Sequence, residues 1–379
     1  MNQYQVCTRC VMDTSASDIE FNEDGVCSVC QEAERILPNL KFTEAEGNLN
    51  LEQLFKGVKK SGKKYDSILG LSGGVDSSYV ALLAKRMGLN PLAVHFDNGW
   101  NSELAISNIE KIVNKCGFDL QTYVINWQEF KDLQRSFLKA GVIDIELLTD
   151  HAIFASLFQI RRKYGIKYVL SGTNYSTEHG MPESWTWLKT DKSNILDIHS
   201  KYGERKIKSY PMMNTIRWKF ISKLGVGGTF LEPLNVIDYS KNEAMKELEK
   251  EFGWKYYGGK HYESVFTKFY QAHILPNKFK IDKRRVHLSA LIRNGEITRD
   301  AGLKELDKPL YDETELKAER EYVLKKLAFT DLEFGEIMER KPVSHDEFKN
   351  EQWVIKLLGK LRKKLNKKSS IEMLSEGGQ

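Results

Sequence analysis

One turn of the chain combines several groups that bind anions. Its sequence, SGGVDSS, begins at Ser72 and joins one apolar run to a second. Gly73 and Gly74 carry no Cβ atom, so the backbone can turn sharply and approach a ligand closely. Ser72, Ser77 and Ser78 add hydroxyl donors, and the free N–H groups and dipole of the predicted helix favour negative charge. We therefore predict that this turn holds the phosphates of a nucleotide.

Asp76 lies within the same turn. A carboxylate beside phosphates is repelled unless a cation lies between them, so Asp76 is predicted to contact Mg²⁺. The turn is not a Walker A loop, because no lysine follows at the spacing of GxxxxGK[ST]. The alternative is a glycine-rich turn with serine caps, but the strand predicted before it and the helix predicted after it favour phosphate binding.

Four cysteines form a second constellation. Cys7 and Cys10 belong to CTRC, Cys27 and Cys30 belong to CSVC, and sixteen residues separate the two pairs. Two CxxC pairs at this separation predict a tetrahedral site for structural Zn²⁺. A catalytic metal or an iron–sulfur cluster is the alternative, but four thiolates leave no open position for a substrate. The fifth cysteine, Cys116, ends a predicted helix, where a small buried thiol is expected.

The elements that must position these residues alternate between strand and helix. This alternation is typical of βαβ units and predicts an α/β fold with a parallel sheet. The predicted strands cover 65–71, 91–96, 119–125 and 167–172, and a candidate fifth strand covers 230–237. Residues 184–230 are otherwise predicted to be irregular and rich in aromatic side chains, and residues 261–365 mostly helical.

Four regions follow from this pattern. They are a zinc-binding knuckle (1–34), a linker helix (35–64), a nucleotide-binding domain (65–250) and a mostly helical region with a basic tail (251–379). In an open parallel sheet, ligands lie at the carboxyl ends of the strands. The segment after the fourth predicted strand is therefore expected to line the site with Gly172, Thr173, Asn174 and Glu178. A polar loop without a ligand is the alternative.

Composition and charge exclude several classes of protein. The chain has 379 residues, of which 41% are hydrophobic, and no apolar run reaches the roughly eighteen residues of a membrane span. The first residues lack the basic and apolar segments of a signal peptide, so a cytoplasmic protein is predicted. The net charge is +5, but seven basic residues lie between Lys356 and Lys368, and the rest of the chain carries −2. No nucleic-acid partner is expected from this distribution.

The SGGVDSS turn resembles the PP-motif of the N-type ATP pyrophosphatases, a superfamily that includes asparagine synthetase, GMP synthetase and several tRNA-modifying enzymes. The segment FLEPLNVIDYSKNEA, residues 230–244, resembles a later segment of several members. The resemblance implies a Rossmann-like sheet that binds ATP, cleavage between the α- and β-phosphates, and an adenylated oxygen that a nucleophile displaces. It also implies that Asp97, at the end of the second predicted strand, lies near the adenosine.

Longer stretches resemble one family within this superfamily, the N-acetyl sugar amidotransferases of bacterial surface-polysaccharide (LPS O-antigen) biosynthesis. The resemblance covers most of residues 1–310, including CTRCVMDTSASDIEFNEDGVCSVC, LSGGVDSSYVA, TDHAIFASLF and SGTNYSTEHGMPESW. It implies that an acetamido group of an N-acetylated, UDP-linked sugar becomes an acetamidino group through an O-adenylated imidate attacked by ammonia. A separate class I glutaminase is implied as the source of ammonia, since no cysteine remains in a nucleophile context with His and Glu partners.

Lys283 and Arg284 lie in the last block of this resemblance, which begins at GGKHYES. Their cations could act in catalysis by pairing with phosphates of ATP or of a nucleotide sugar, and a solvated helix face is the alternative. Two other functions stay open, a tRNA-modifying enzyme with the same ATP chemistry and a non-catalytic scaffold that binds zinc and nucleotide. A scaffold would release neither AMP nor pyrophosphate, and a tRNA enzyme would require RNA.

Overall fold

A five-stranded parallel sheet forms the centre of the protein. The computed structural model describes residues 4–60, 64–223, 228–258 and 262–359. The strands are β1 (Ser67–Gly70), β2 (Leu92–Asp97), β3 (Leu120–Val124), β4 (Tyr168–Leu170) and β5 (Thr229–Leu231). They lie in the order β3-β2-β1-β4-β5, and every neighbouring pair is parallel. The predicted α/β fold with a parallel sheet is confirmed.

The strand order reverses at β1. From β1 the chain proceeds to β2 and β3 on one side, and then crosses to β4 and β5 on the other. Leu69 of β1 pairs with Ala93 of β2 and with Leu170 of β4. The loops that leave β1 and β4 therefore diverge and open a crevice at the carboxyl edge of the sheet. The SGGVDSS turn lies at this crevice.

Helices cover the sheet and build the rest of the molecule. They are α1 (Ser28–Ile36), α2 (Glu44–Lys59), α3 (Val75–Arg86), α4 (Glu103–Cys116), α5 (Trp127–Ala140), α6 (Leu147–Tyr164), α7 (Tyr175–Glu178), α8 (Lys192–Tyr202), α9 (Thr215–Lys223), α10 (Lys241–Phe252), α11 (Val265–Phe269), α12 (Arg284–Arg293), α13 (Arg299–Leu306), α14 (Glu313–Leu327) and α15 (Asp331–Glu339). A π-helical segment, Tyr270–Phe279, continues α11. None of the helices in the described part of the chain combines the length and apolar composition that a membrane crossing would take.

Apolar side chains bury both faces of the sheet. Neighbouring residues of a strand point to opposite faces, so Leu69 packs in one cluster and Ile68 in another. Leu157 of α6 lies in the cluster with Ile68. Phe55 and Val58 of α2 are buried in the cluster with Leu69, so the predicted linker helix is also part of the core of the sheet.

A third cluster joins the four CxxC cysteines to the C-terminal helices. Phe137 of α5, Phe269 of α11 and Phe334 of α15 are buried in it. The cysteine region therefore shares a core with α5 and with helices that follow the sheet in sequence, although it begins the chain.

The prediction that residues 184–230 are irregular is wrong in part, because α8 and α9 lie in this region. Asp191 caps α8 by accepting a hydrogen bond of 3.0 Å from the N–H of Asn194. Ile195 and Ile198 are buried at helical spacing. The other residues of α8 give only a weak amphipathic pattern. Burial of these two isoleucines therefore stabilises the helix.

Candidate functional site

A cavity of about 360 Å³ lies at the crevice on the carboxyl edge of the sheet. We call this space the nucleotide cavity, after the ligand that the sequence predicts. The ends of β1, β2 and β4 form one side of it, and α6 with the start of α11 forms another. Apolar side chains, among them Phe96, Ile153 and Phe154, supply much of its lining. The polar and charged side chains that line it are Ser72, His95, Asn98, Asn101, Glu146, Thr149, Asp150, Ser156, Ser171, Thr173, Glu263, Ser264 and Thr267. A concave site that combines apolar walls with converging polar groups is a candidate small-molecule site.

The SGGVDSS turn forms a compact loop at one side of this cavity. Gly73 has a φ of +82°, and a Cβ atom there would lie 2.6 Å from the carbonyl oxygen of Ala105. Only glycine fits both the left-handed backbone and this close approach. The N–H of Gly74 donates to Ser72 Oγ (3.2 Å), and the indole N–H of Trp254 donates to the carbonyl oxygen of Gly73 (3.0 Å). The loop is therefore held in position by its own serine and by a distant tryptophan.

The other two serines of the turn differ in their surroundings. Ser77 Oγ accepts a hydrogen bond of 3.3 Å from the N–H of Ser72. Ser78 is buried in α3, and its hydroxyl has no hydrogen-bond partner among the described residues. Ser77 therefore lies at the surface of the loop, whereas Ser78 lies beneath it.

Gly172, in the loop after β4, lies directly against the SGGVDSS turn. A Cβ atom on Gly172 would lie 2.8 Å from the backbone nitrogen of Ser77 and 3.0 Å from the carbonyl carbon of Asp76. Thr173 lines the nucleotide cavity beside it. The two loops that were each expected to line the site are therefore in contact, and the missing side chain of Gly172 permits the contact.

Three other predicted residues lie at the end of β2 or in the segment after β4. Asn174 is buried and caps α7, accepting a hydrogen bond of 2.8 Å from the N–H of Thr177. Glu178 ends α7. Burial raises the pKa of Tyr239, and the negative charge of Glu178 adds to this effect. Asp97 accepts a hydrogen bond of 2.8 Å from the N–H of Gly99 and does not line the cavity.

Asp76 lies near a second carboxylate and two tyrosines. Its side chain accepts a hydrogen bond from the hydroxyl of Tyr239. Burial, together with the charge of Asp76, raises the pKa of Tyr239 well above its ordinary value. The Tyr257 hydroxyl and Glu263 Oε1 lie 3.1 and 3.6 Å from the position that a Cβ atom on Gly74 would take. Two carboxylates, Asp76 of α3 itself and Glu263, therefore lie near the start of this helix.

Lys283 and Arg284 line a second cavity, of about 380 Å³. Lys283 Nζ lies 3.0 Å from Glu146 Oε2, and Glu146 lines the nucleotide cavity. The guanidinium of Arg284 pairs with Asp282 (2.7 Å) and donates to the carbonyl oxygen of Leu306 (3.0 Å). Lys283 therefore contacts the wall of the nucleotide cavity, whereas Arg284 joins the start of α12 to the end of α13.

The four CxxC cysteines form a buried cluster whose size fits a zinc ion. Their sulfur atoms all lie within 4.8 Å of one another. Cys7 Sγ and Cys30 Sγ are 3.9 Å apart, and Cys10 Sγ and Cys27 Sγ are 3.7 Å apart. A tetrahedron with Zn–S bonds of about 2.3 Å has edges of about 3.8 Å. The N–H groups of Cys10 and Cys27 point to Cys7 Sγ at 3.4 and 3.3 Å, which favours a thiolate.

Two arginines contact the cysteine cluster, and one of them also contacts the segment after β4. Arg299 donates to the carbonyl oxygens of Cys7 and Cys10 at 3.0 Å each. Arg293 lies 4.0 Å from Cys10 Sγ and donates to the carbonyl oxygen of His179 at 2.6 Å. Arg293 ends α12, the helix that begins beside Lys283. The cysteine cluster therefore positions both α12 and the loop that carries α7.

Sequence patterns did not identify several residues that the fold brings to the site. Glu146 is the N-cap residue of α6, Tyr257 follows α10, and Glu263 lies just before α11. His95 lines the nucleotide cavity, and burial lowers its pKa, so its imidazole is neutral at pH 7. No local motif contains these residues. The block beginning GGKHYES was the one signal available for Glu263.

Two family models match separate parts of the chain. Residues 66–162 match the model described as "Queuosine biosynthesis protein QueC". Residues 263–362 match the model described as "LPS biosynthesis protein WbpG-like, C-terminal domain". The first match contains the SGGVDSS turn, and the second contains Glu263, Lys283 and Arg284.

Curated relatives match larger parts of the chain. An uncharacterized protein of Methanocaldococcus jannaschii is 25% identical over 80% of this chain and 93% of its own length. The NH(3)-dependent NAD(+) synthetase of Mycoplasmopsis pulmonis is 22% identical over 58% of this chain and 79% of its own length. The glutamine-hydrolyzing GMP synthase of Thermus thermophilus is 31% identical over 42% of this chain and 28% of its own length. Together with the QueC match, these relatives support assignment of the chain to the PP-loop ATP pyrophosphatase superfamily.

Proposed function

We propose that the protein is an ATP-dependent amidotransferase that converts the acetamido group of an N-acetylated, UDP-linked sugar into an acetamidino group. The observation that carries this proposal is that two separately matched regions line one cavity. The QueC-like region supplies Ser72 and Glu146, and the WbpG-like region supplies Glu263 and Thr267. The first match supports ATP-dependent chemistry, and the second supports a role in lipopolysaccharide biosynthesis.

In this proposal the adenosine of ATP occupies the nucleotide cavity, and its phosphates lie over the SGGVDSS turn. The fit rests on Gly73 and Gly172, whose missing side chains let the turn bend sharply and let the loop after β4 pack against it. N–H groups at the start of α3 and the Ser72 and Ser77 hydroxyls would donate to the phosphates. Asp76 and Glu263 would hold Mg²⁺, which neutralises charge on the departing pyrophosphate.

The chemistry requires activation of a poor leaving group. The amide oxygen attacks the α-phosphorus, the bond to pyrophosphate breaks, and an O-adenylated imidate forms. Ammonia then adds to the imidate carbon, and AMP leaves with the electron pair of the C–O bond. The protein must hold both substrates in line and exclude water, because water would hydrolyse the imidate. Lys283 is proposed to contact the substrates, and Arg284 to hold the start of α12 in place.

Ammonia must come from outside this chain. Four of the five cysteines belong to the metal cluster. Burial raises the pKa of the remaining thiol, Cys116, to about 11, so it is protonated at neutral pH and unsuited to attack glutamine. We therefore propose that a separate class I glutaminase supplies ammonia, and that the chain alone uses ammonium salts but not glutamine. The same cluster is proposed to bind one structural Zn²⁺.

Nucleotide turnover tests the proposal. The protein is incubated with ATP, Mg²⁺, ammonium and a panel of UDP-linked N-acetylated hexosamines. AMP and pyrophosphate are expected in equal amounts, and only with an accepted sugar. Release that requires RNA instead would support a tRNA-modifying enzyme, and the absence of release under every condition would support a scaffold.

A further inference from the structure

The nucleotide cavity and the second cavity share a wall made by three polar side chains. Glu146 lines the nucleotide cavity, whereas Lys283 and Gln271 line the second cavity. Glu146 Oε2 accepts hydrogen bonds from Lys283 Nζ at 3.0 Å and from Gln271 Nε2 at 3.1 Å. The side chains of Glu146 and Lys283 are 16% and 17% exposed, so water has little access to the pair. We refer to these three residues as the shared wall.

The chain also crosses from one cavity to the other beside this wall. Tyr262 lines the second cavity, and the next residue, Glu263, lines the nucleotide cavity. Gln271 belongs to the π-helical segment that follows α11. Such irregular helical turns are frequent at functional sites, because they redirect side chains that a regular helix would hide. The two cavities are therefore adjacent, and hydrogen-bonded polar side chains lie between them at this point.

The lining of the second cavity suits an N-acetylated sugar. Tyr256 and Tyr262 offer aromatic faces against which the C–H face of a sugar ring can pack. Gln271 can both donate and accept hydrogen bonds, and Lys283 supplies a positive charge. At about 380 Å³, the cavity falls within the range of small-molecule sites.

We propose that the second cavity binds the N-acetylated acceptor, and that Glu146 accepts the proton of its amide N–H while the amide oxygen attacks ATP. This inference rests on the proposed function and assigns an acceptor site within it. Lys283 and Gln271 act as positioning residues, because their hydrogen bonds fix the Glu146 carboxylate between the two cavities.

The proton and electron pairs balance in this step. A new bond forms between the amide oxygen and the α-phosphorus, and the bond from that phosphorus to the bridging oxygen of pyrophosphate breaks. The amide nitrogen gives its proton to Glu146 and becomes the neutral nitrogen of a C=N bond. The pyrophosphate leaves with the electron pair of the broken bond. No oxidant, reductant or further reactant is required.

Glu146→Gln tests the proton acceptor. General-base catalysis contributes about a hundredfold or more, so acceptor-dependent pyrophosphate release is expected to fall by at least that factor. Glu146→Asp should recover part of the lost rate, because it keeps a carboxylate beside Lys283. Glu204→Gln is the matched control, because Glu204 forms a lysine pair of similar length (3.1 Å) on the surface. Pyrophosphate release by Glu146→Gln at the wild-type rate would overturn the assignment.

Ala301→Trp tests the second cavity without touching Glu146. Ala301 is exposed on α13 and lines this cavity, so an indole there narrows the cavity with little strain in the core. The KM for the accepted UDP-sugar is expected to rise tenfold or more, with the KM for ATP unchanged. Ala318→Trp, at an exposed alanine of α14 outside the nucleotide and second cavities, is the control. An unchanged sugar KM, or an equal rise in both KM values, would overturn the inference.

Failure of the proposed function gives a different pattern. If the wild-type protein releases no pyrophosphate with any UDP-linked N-acetylated hexosamine of the panel, the proposed function and the acceptor site both fail. If the wild-type protein turns over a sugar and both variants match it, the function stands and the acceptor site alone is refuted.

Discussion

Replacing Gly172 by alanine should separate the two loops that form the phosphate site. The added Cβ atom would lie 2.8 Å from Ser77 N, whereas non-bonded contacts of carbon are comfortable at about 3.5 Å. The loop after β4 must therefore move about 0.7 Å from the turn, or the turn must move from the loop. Gly172 does not have a positive φ, so alanine adds no backbone strain and the effect isolates this contact.

We expect Gly172→Ala to reduce the activity more than the stability of the protein. Misplacement by about 1 Å can reduce a rate about a hundredfold, so we expect the kcat for pyrophosphate release to fall between about ten- and a hundredfold. Overpacking of this kind costs about 1–3 kcal/mol of unfolding free energy. Steady-state pyrophosphate assays give the kcat, and urea denaturation gives the free energy of unfolding.

A matched control separates the contact from the alanine itself. Gly335 lies in α15, and a Cβ atom there would meet no atom within 4 Å. Gly335→Ala should therefore keep the wild-type kcat and raise stability by up to about 1 kcal/mol, because alanine favours a helix. A wild-type kcat for Gly172→Ala would refute the reasoning, since it would mean that the contact does not position the turn.

Three further predictions concern the metal, the magnesium contact and pH. Cys27→Ser should lower both the zinc content and the yield of folded protein, because the energy of structural zinc binding contributes to folding. Elemental analysis that finds iron, or folded protein without metal, would count against this prediction. Asp76→Asn should reduce Mg²⁺-dependent pyrophosphate release about a hundredfold or more while the urea midpoint stays unchanged, and an unchanged rate would contradict the role of Asp76. Burial lowers the pKa of His151 and of His345 to about 4. Between pH 6.5 and 4 the two imidazoles bind protons in the unfolded chain but not in the native chain. The free energy of unfolding should therefore fall with decreasing pH by up to about 3 kcal/mol per histidine. Urea denaturation that shows a constant or rising free energy of unfolding over this range would contradict the prediction.

Local patterns were sufficient to predict the parts of the site that lie within one loop. The SGGVDSS turn needs only its own glycines and serines, and the strand before it is a short apolar run. The strand before the loop that contains Gly172 was predicted from a similar apolar run. Because ligands lie at the carboxyl edge of a parallel sheet, both loops were expected to line one site. The four cysteines were found because two CxxC pairs at a fixed spacing are themselves a signal.

Contacts between distant segments could not be predicted in this way. Tyr239 reaches Asp76 across 163 positions of the chain, and Trp254 reaches Gly73 across 181. The pairing of Glu146 with Lys283 spans 137 positions. None of these contacts has a periodicity or spacing that a single sequence reveals, because they depend on how α10, α11 and α12 pack against the sheet. The expectation that Asp97 lies near the adenosine came from the family resemblance, and its carboxylate accepts a hydrogen bond from the N–H of Gly99.

The fate of the acceptor's amide oxygen tests the central claim most directly. A UDP-linked N-acetylated sugar that the protein accepts is labelled with ¹⁸O in its acetamido carbonyl and incubated with ATP, Mg²⁺ and ammonium. Mass spectrometry then measures the label in each product. Adenylation of the amide oxygen predicts that AMP carries the ¹⁸O and that the sugar product, with NH in place of oxygen, carries none. Label in pyrophosphate, or label retained in the sugar while AMP is released, would contradict the proposed amidotransferase chemistry.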